Sequence, residues 1–194
     1  MKKIKVSWSI LSQWSSGNKD AAIKMLMGEE IEATLAMEEG KRIHEIISSK
    51  RLMLLPFLSE EAVFEKINPE KKDWINYFRV PVNEWLDLSL VIDVLDMKSG
   101  LGGLVVDWKT GRKKSQEHNK MQVYMYAYAL SKLPKPLKVD HGVIAKVFED
   151  ESGAIIVQDW SPYKITPEKL ELAENYIESN ASEIYESLGF DKQN

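Results

Sequence analysis

The chain has 194 residues, 44% apolar and 29% charged, a size and composition suited to one folded core and too rich in apolar groups for a disordered chain. It contains no cysteine, which removes disulfides, thiol catalysis, cysteine-based zinc sites and iron–sulfur clusters together. The net charge of −4 gives no global attraction to nucleic acid, so any such binding must come from local basic patches. The amino terminus lacks a signal-like apolar stretch, and no window approaches the roughly 20 apolar residues of a membrane span. The expectation is a soluble cytoplasmic protein without a membrane partner.

In chain order, Ser7 or Ser9 can cap a short helix that Gly17-Asn18 should end. A second helix is predicted from Asp20 to Met27, closed by Gly28. A third is predicted from Glu30 to Ser48, with Ile31, Leu35, Ile43, Ile46 and Ile47 near helical spacing, His44 inside it and Gly40 tolerated. Arg51 to Pro69 is less legible, with Glu60 to Glu65 reading as a helical turn or a short strand. Tyr77 to Val82 reads as a strand that Pro81 assigns to an edge or an end.

Two apolar runs, Leu86–Leu95 and Leu104–Lys109, flank Lys98-Ser99-Gly100-Leu101-Gly102-Gly103 and predict a β-hairpin, because glycine supplies the backbone angles a tight reversal needs. With the reversal centred on Gly100, Asp93 faces Asp107, Val94 faces Val106, Leu95 faces Val105 and Ile92 faces Trp108. Directly opposed side chains lie about 5 Å apart, so the two carboxylates converge, and Lys109 shares the face of Asp107. A slip of one residue would separate them. Two carboxylates that close repel unless a cation sits between them or one stays protonated. As hard oxygen ligands embedded in apolar strands, they point to magnesium or manganese and to phosphate chemistry.

Beyond the hairpin, a helix capped at Ser115 and carrying Gln122, Tyr124, Tyr126 and Tyr128 is predicted to stop before Pro134 and Pro136. Val139–Phe148 and Ala154–Trp160 read as strands, and Thr166-Pro167 opens a last helix with Leu170, Ala173, Ile177, Ala181, Ile184 and Leu188 on its inward stripe. The order of elements implies an α/β (α+β) fold, a central mixed β-sheet flanked by helices.

Gly40-Lys41-Arg42-Ile43-His44, Val91-Ile92-Asp93, Asp107-Trp108-Lys109-Thr110-Gly111 and Gln122-Val123-Tyr124-Met125-Tyr126, with Ser7-Trp8-Ser9-Ile10-Leu11 before them, resemble in order and placement the RecB-like branch of the PD-(D/E)XK nuclease superfamily, which includes CRISPR-associated and AddB-type nucleases. Each element alone is weak; the series is specific. The absence of cysteine sets the chain apart from members with an iron–sulfur cluster, and Ser89 stands where many relatives carry glycine before the Asp.

The resemblance implies a restriction-endonuclease-like core, with residues 1–194 as a single nuclease domain whose N-terminal helical part, about 7–52, contributes His44. It implies hydrolysis of DNA phosphodiesters with Mg2+ or Mn2+ bound by Asp93, Asp107, the Trp108 backbone carbonyl and His44. Lys109 would act beside the attacking water, and Gln122 and Tyr126, four apart on one helical face, would position it or the substrate. Arg112, Lys113 and Lys114 could hold the phosphate backbone of single-stranded DNA or a duplex end. Glu65 and Glu84 are acidic as well, but nothing in the sequence places them beside Asp93. Recombination, repair or phage and mobile-element DNA processing, with a helicase or recombination partner, is the implied setting, and exonuclease against endonuclease is open. A noncatalytic nucleic-acid-binding module or a structural interaction domain on the same fold is the alternative.

Overall fold

Ile4 and Val6 point inward and Lys5 outward, the alternation of a half-buried strand, and the chain turns into a helix at Ser7, whose hydroxyl accepts the Ile10 N–H at 3.5 Å. The computed structural model describes residues 2–29, 31, 33–50, 56–110, 116–158 and 161–190. Its elements run β1 (Ile4–Ser7), α1 (Trp8–Ser15), α2 (Lys19–Met27), α3 (Leu35–Lys50), β2 (Val63–Phe64), β3 (Lys66–Asn68), β4 (Asp73–Ile75), β5 (Tyr77–Pro81), β6 (Leu86–Val91), β7 (Val94–Ser99), β8 (Gly102–Lys109), α4 (Gln116–Ser131), β9 (His141–Glu149), β10 (Ile155–Gln158), β11 (Tyr163–Lys164) and α5 (Pro167–Ser187).

The central sheet is mixed, in the order β10-β9-β8-β7-β2 with β11 added to β9; β8 and β9 are parallel and the other pairs antiparallel. A second sheet, β1-β6-β5, pairs β1 parallel and β5 antiparallel to β6, and β3-β4 forms a separate hairpin. Helices cover both faces of the central sheet, as expected. Val105 joins the apolar cluster built with α1, α4 and α5. Val94, Leu104, Val106 and Trp108 join the cluster under Ile43 and Ile47 of α3. Among the described residues no helix is long and apolar enough to cross a membrane.

Several sequence expectations change. β1 is an unforeseen strand, and the β3-β4 hairpin lies within and beyond the stretch that was illegible. α3 starts at Leu35, which is 85% exposed, and its buried face is Gly40, Ile43 and Ile47, a three-four-spaced stripe that excludes Ile31 and Leu35. Gly40 is there for proximity: a Cβ on it would come 2.8 Å from Thr110 Oγ1, at the end of β8. Thr166 occupies the N-cap of α5 in extended geometry, yet its side chain makes no cap hydrogen bond. Ser115, Asp159 and Trp160, predicted as a cap and a strand end, lie outside the described residues.

The largest correction concerns Leu86–Leu95. It is two strands in two sheets, interrupted at Ile92-Asp93. The Ile92 N–H is taken by Asn76 O at 3.2 Å, and the Asp93 backbone carbonyl accepts the Glu65 N–H at 2.8 Å. The pairing with β8 therefore begins at Val94↔Val106 and continues at Leu95↔Val105, as the sequence predicted, while neither the Asp93 pair with Asp107 nor the Ile92 pair with Trp108 forms part of the ladder.

That register depends on a bulge. Ser99 pairs with Gly102 and Asp96 with Leu104, so Met97 and Lys98 together face Gly103 alone. Without the extra residue Val94 would lie opposite Asp107 in place of Val106. Asp96, fully buried, holds the bulge: its carboxylate accepts the Lys98 N–H at 2.9 Å, the Ser59 N–H at 2.5 Å and the Ser59 hydroxyl at 2.7 Å. Asp96→Ala takes the acceptor from three part-buried donors and is expected to lower stability by about 2 kcal/mol, read as a reduced midpoint in urea unfolding.

Candidate active site

Asp93 sits in the break between β6 and β7, where its side chain supplies the partner that the backbone ladder does not: Oδ2 accepts the Trp108 N–H at 2.5 Å. The Glu65 N–H bound to the Asp93 carbonyl carries the Glu65 side chain to the same place. From the opposite face α3, brought close at Gly40, delivers His44, whose Nδ1 lies 2.8 Å from Glu65 Oε1 and 3.5 Å from Asp93 Oδ1.

Strand alternation puts Asp107 and Lys109 on one face of β8. Lys109 Nζ lies 2.6 Å from Asp107 Oδ2 and donates to Gln122 Oε1 at 2.8 Å. Gln122 Nε2 in turn donates to Tyr126 Oη at 2.6 Å, one helical turn on, which orients the amide so that its oxygen faces the ammonium. All of these groups except Tyr126 line one cleft of about 950 Å³ between α3 and the end of β8; Tyr126 is buried behind Gln122.

The electrostatics are strained toward protonation. Burial pushes the Asp93 carboxyl well above the usual carboxylate range, His44 pulls it back, and Asp107 and Glu65 push it further up. Burial raises Asp107 as well, against the opposing charge of Lys109. For His44, burial disfavours the imidazolium, but Asp93, Glu65 and Asp107 outweigh it and lift the pKa to about 9. Burial, followed by Asp107 and Asp93, holds the Tyr126 phenol well above its ordinary value, so it is a neutral hydroxyl.

The donor set fits a hard divalent cation. One ligand atom each from His44, Glu65 and Asp93 can be chosen so that all lie within 4.8 Å of one another, and Asp107 lines the same cleft. Glu65, Asp93 and Asp107 gather three carboxyl groups beside the Lys109 ammonium, and a bound divalent ion would favour their ionised forms and a neutral His44.

Of the predicted site residues, Asp93, Asp107, Lys109, Gln122, Tyr126 and His44 are thus brought together. Trp108 lines the cleft with its N–H engaged by Asp93. Arg112, Lys113 and Lys114 lie outside the described residues. Glu65, which sequence reasoning set aside, is a member of the cluster; Glu84 is exposed and takes no part in lining the cleft. The signal for Glu65 was slight: an acidic residue closing the short run Ala62-Val63-Phe64, whose pairing with β7 no local pattern reveals.

A family model described as the PD-(D/E)XK nuclease superfamily matches residues 9–190. The chain belongs to that superfamily, and is a nuclease by family. Its members use divalent metals, in keeping with the donor set. The fold resembles a phage-related exonuclease from Haemophilus somnus 129PT, with a TM-score of 0.55 at 12% identity over 96% of this chain and 95% of that one. It also resembles the alkaline exonuclease LHK-Exo from Laribacter hongkongensis, with a TM-score of 0.53 at 13% identity over 95% and 90%. The LHK-Exo complex with dAMP gives 0.55 at 11% identity over the same shares. No curated protein sequence matches the chain.

Metal and protons compete for this cluster. Because Asp93, Asp107 and His44 all have raised pKa values, lowering the pH protonates them and weakens a cation's hold, while raising it frees the ligands. The expected outcome is a Mn2+-induced thermal stabilisation that grows between pH 6 and pH 8, with proton release on binding measured by calorimetry in buffers of different ionisation enthalpy.

Proposed function

We propose that the protein is a Mg2+- or Mn2+-dependent deoxyribonuclease that hydrolyses phosphodiester bonds at the cleft formed by His44, Glu65, Asp93, Asp107 and Lys109. The observation that carries this reading is the meeting of the two Asp carboxylates and the Lys109 ammonium in one cleft, Asp93 from the break between β6 and β7 and Asp107 and Lys109 from one face of β8. Asp93, Glu65 and His44, with Asp107 and the Trp108 carbonyl alongside, are the groups that would hold the cation, which when bound polarises the phosphate and lowers the pKa of a water molecule.

The protein's own groups do the rest. Lys109, fixed between Asp107 and Gln122, balances charge that builds on the phosphate oxygens as the bond to water forms. Gln122 and Tyr126 are positioning residues: the neutral phenol locks the amide, and the amide oxygen keeps the ammonium pointed into the cleft. Arg112, Lys113 and Lys114 follow directly on the strand that carries Lys109 and are assigned to the DNA backbone by their charge and place in the chain. The motif order supports placement in the RecB-like branch. The exonuclease names of the similarly folded structures support cutting from a DNA end, in recombination, repair or phage DNA processing. The region 1–194 is taken as a single nuclease domain.

The test is incubation of the purified protein with end-labelled single-stranded and duplex DNA, linear and circular, in Mg2+, Mn2+ or chelator. The expected result is metal-dependent degradation of linear DNA only, lowered about 100- to 1,000-fold in kcat by Lys109→Ala and abolished by Asp93→Asn or Asp107→Asn. Cleavage that persists in chelator, or that Lys109→Ala leaves unchanged, overturns the proposal. Glu65→Gln, a site residue found only in the structure, is expected to weaken Mn2+ binding without unfolding the protein, measured by calorimetry.

A further inference from the structure

The cleft is lined by two unlike kinds of residue. Beside the acids, His44, Lys109 and Gln122, the lining also includes Met37 of α3 with Ile67 and Trp74 of the β3-β4 hairpin. Ile67 and Trp74 are directly paired across that hairpin, so their side chains share one face. Both line the cleft while staying 53% and 41% exposed, and Met37 is 56% exposed. The hairpin is a formed element: the Asn68 side chain accepts the Glu70 N–H at 3.1 Å and the Asn68 carbonyl accepts the Lys72 N–H at 2.7 Å, closing the turn.

An indole and a branched aliphatic group are held partly open to solvent beside the proposed phosphate-hydrolysing centre. A phosphodiester brings its own apolar surface, the face of the nucleobase attached to the adjoining sugar. Aromatic side chains stack on bases of any identity. In an intact duplex that face is covered by neighbouring bases and its edge is paired, so such a surface is useful only to an unpaired nucleotide.

Resting on the nuclease reading above, we propose that Trp74, backed by Ile67 and Met37, is a stacking platform for an unpaired base next to the scissile phosphate. The enzyme then takes its substrate as a single-stranded or frayed end, with the hairpin setting which phosphate reaches Asp93 and Asp107.

Steady-state cleavage and fluorescence-anisotropy binding of single-stranded oligodeoxynucleotides test this in Trp74→Ala and Trp74→Phe. The binding series is run in a Lys109→Ala background that keeps the oligonucleotide intact, and circular dichroism checks folding. Losing one stacked base costs about five- to 150-fold in binding. Trp74→Ala is therefore expected to raise KM and weaken binding at least fivefold with kcat largely kept, Trp74→Phe to restore most of it, and the deficit to vanish when a single abasic residue occupies the stacked position. Unchanged binding in Trp74→Ala, or an equal deficit on every abasic oligonucleotide, overturns the platform. If the unmutated protein cleaves no DNA, the nuclease reading fails instead. The anisotropy series still decides the platform, upheld by base-dependent binding through Trp74 and rejected without it.

Discussion

The bond from the Trp108 N–H to the Asp93 carboxylate joins the two sheets to the cleft. It forms at the point where β6 has left one sheet and β7 has not yet entered the other, so a side chain replaces a backbone partner. Because a buried N–H must be satisfied, the break and the acid are mutually required. The same interruption frees the Asp93 carbonyl for Glu65, and thereby adds a third acid. The bulge at Met97-Lys98 completes the arrangement by setting the register in which Val94 faces Val106, so that Asp93 enters beside the strand whose one face carries Asp107 and Lys109.

Grouping acids this way costs stability, since Asp93 and Asp107 are buried among like charges. The surroundings offset that cost on both faces of the sheet. Val105 and the α4-α5 layer form one apolar cluster, and Ile43, Ile47, Val94 and Val106 form the other. The cluster of polar groups sits at the strand ends between these two masses. There backbone order is enforced from both sides, and the cleft still opens to solvent. The polar groups are thus held by packing and poised by charge, while the small β3-β4 hairpin adds Ile67 and Trp74, partly exposed, to the same cleft.

Much of the layout was legible because it rests on local rules. Gly28 adopts the left-handed backbone that closes α2, Ser7 caps α1, and Ala173, Ile177, Ala181 and Ile184 line the buried face of α5. The pairing of Val94 with Val106 was legible from two apolar runs and a glycine turn, although the bulge that secures it was not. A glycine at position 40 read as merely tolerated because its neighbour, Thr110, is seventy residues away in the chain. Leu35 read as core because periodicity cannot tell where a helix begins to meet its sheet.

By itself the sequence determined the residue types and their order: two acids and a lysine on facing apolar runs, a histidine on an earlier helix, and an amide and a phenol one helical turn apart. Those follow from strand and helix periods, which act over a few residues. Only the tertiary structure decided that Glu65 joins the cluster, that Leu86–Leu95 splits at Asp93, and that Trp74 faces the same cleft. Each of these depends on contacts between segments distant in the chain, and the competition among such contacts for buried hydrogen bonds leaves no mark in local pattern.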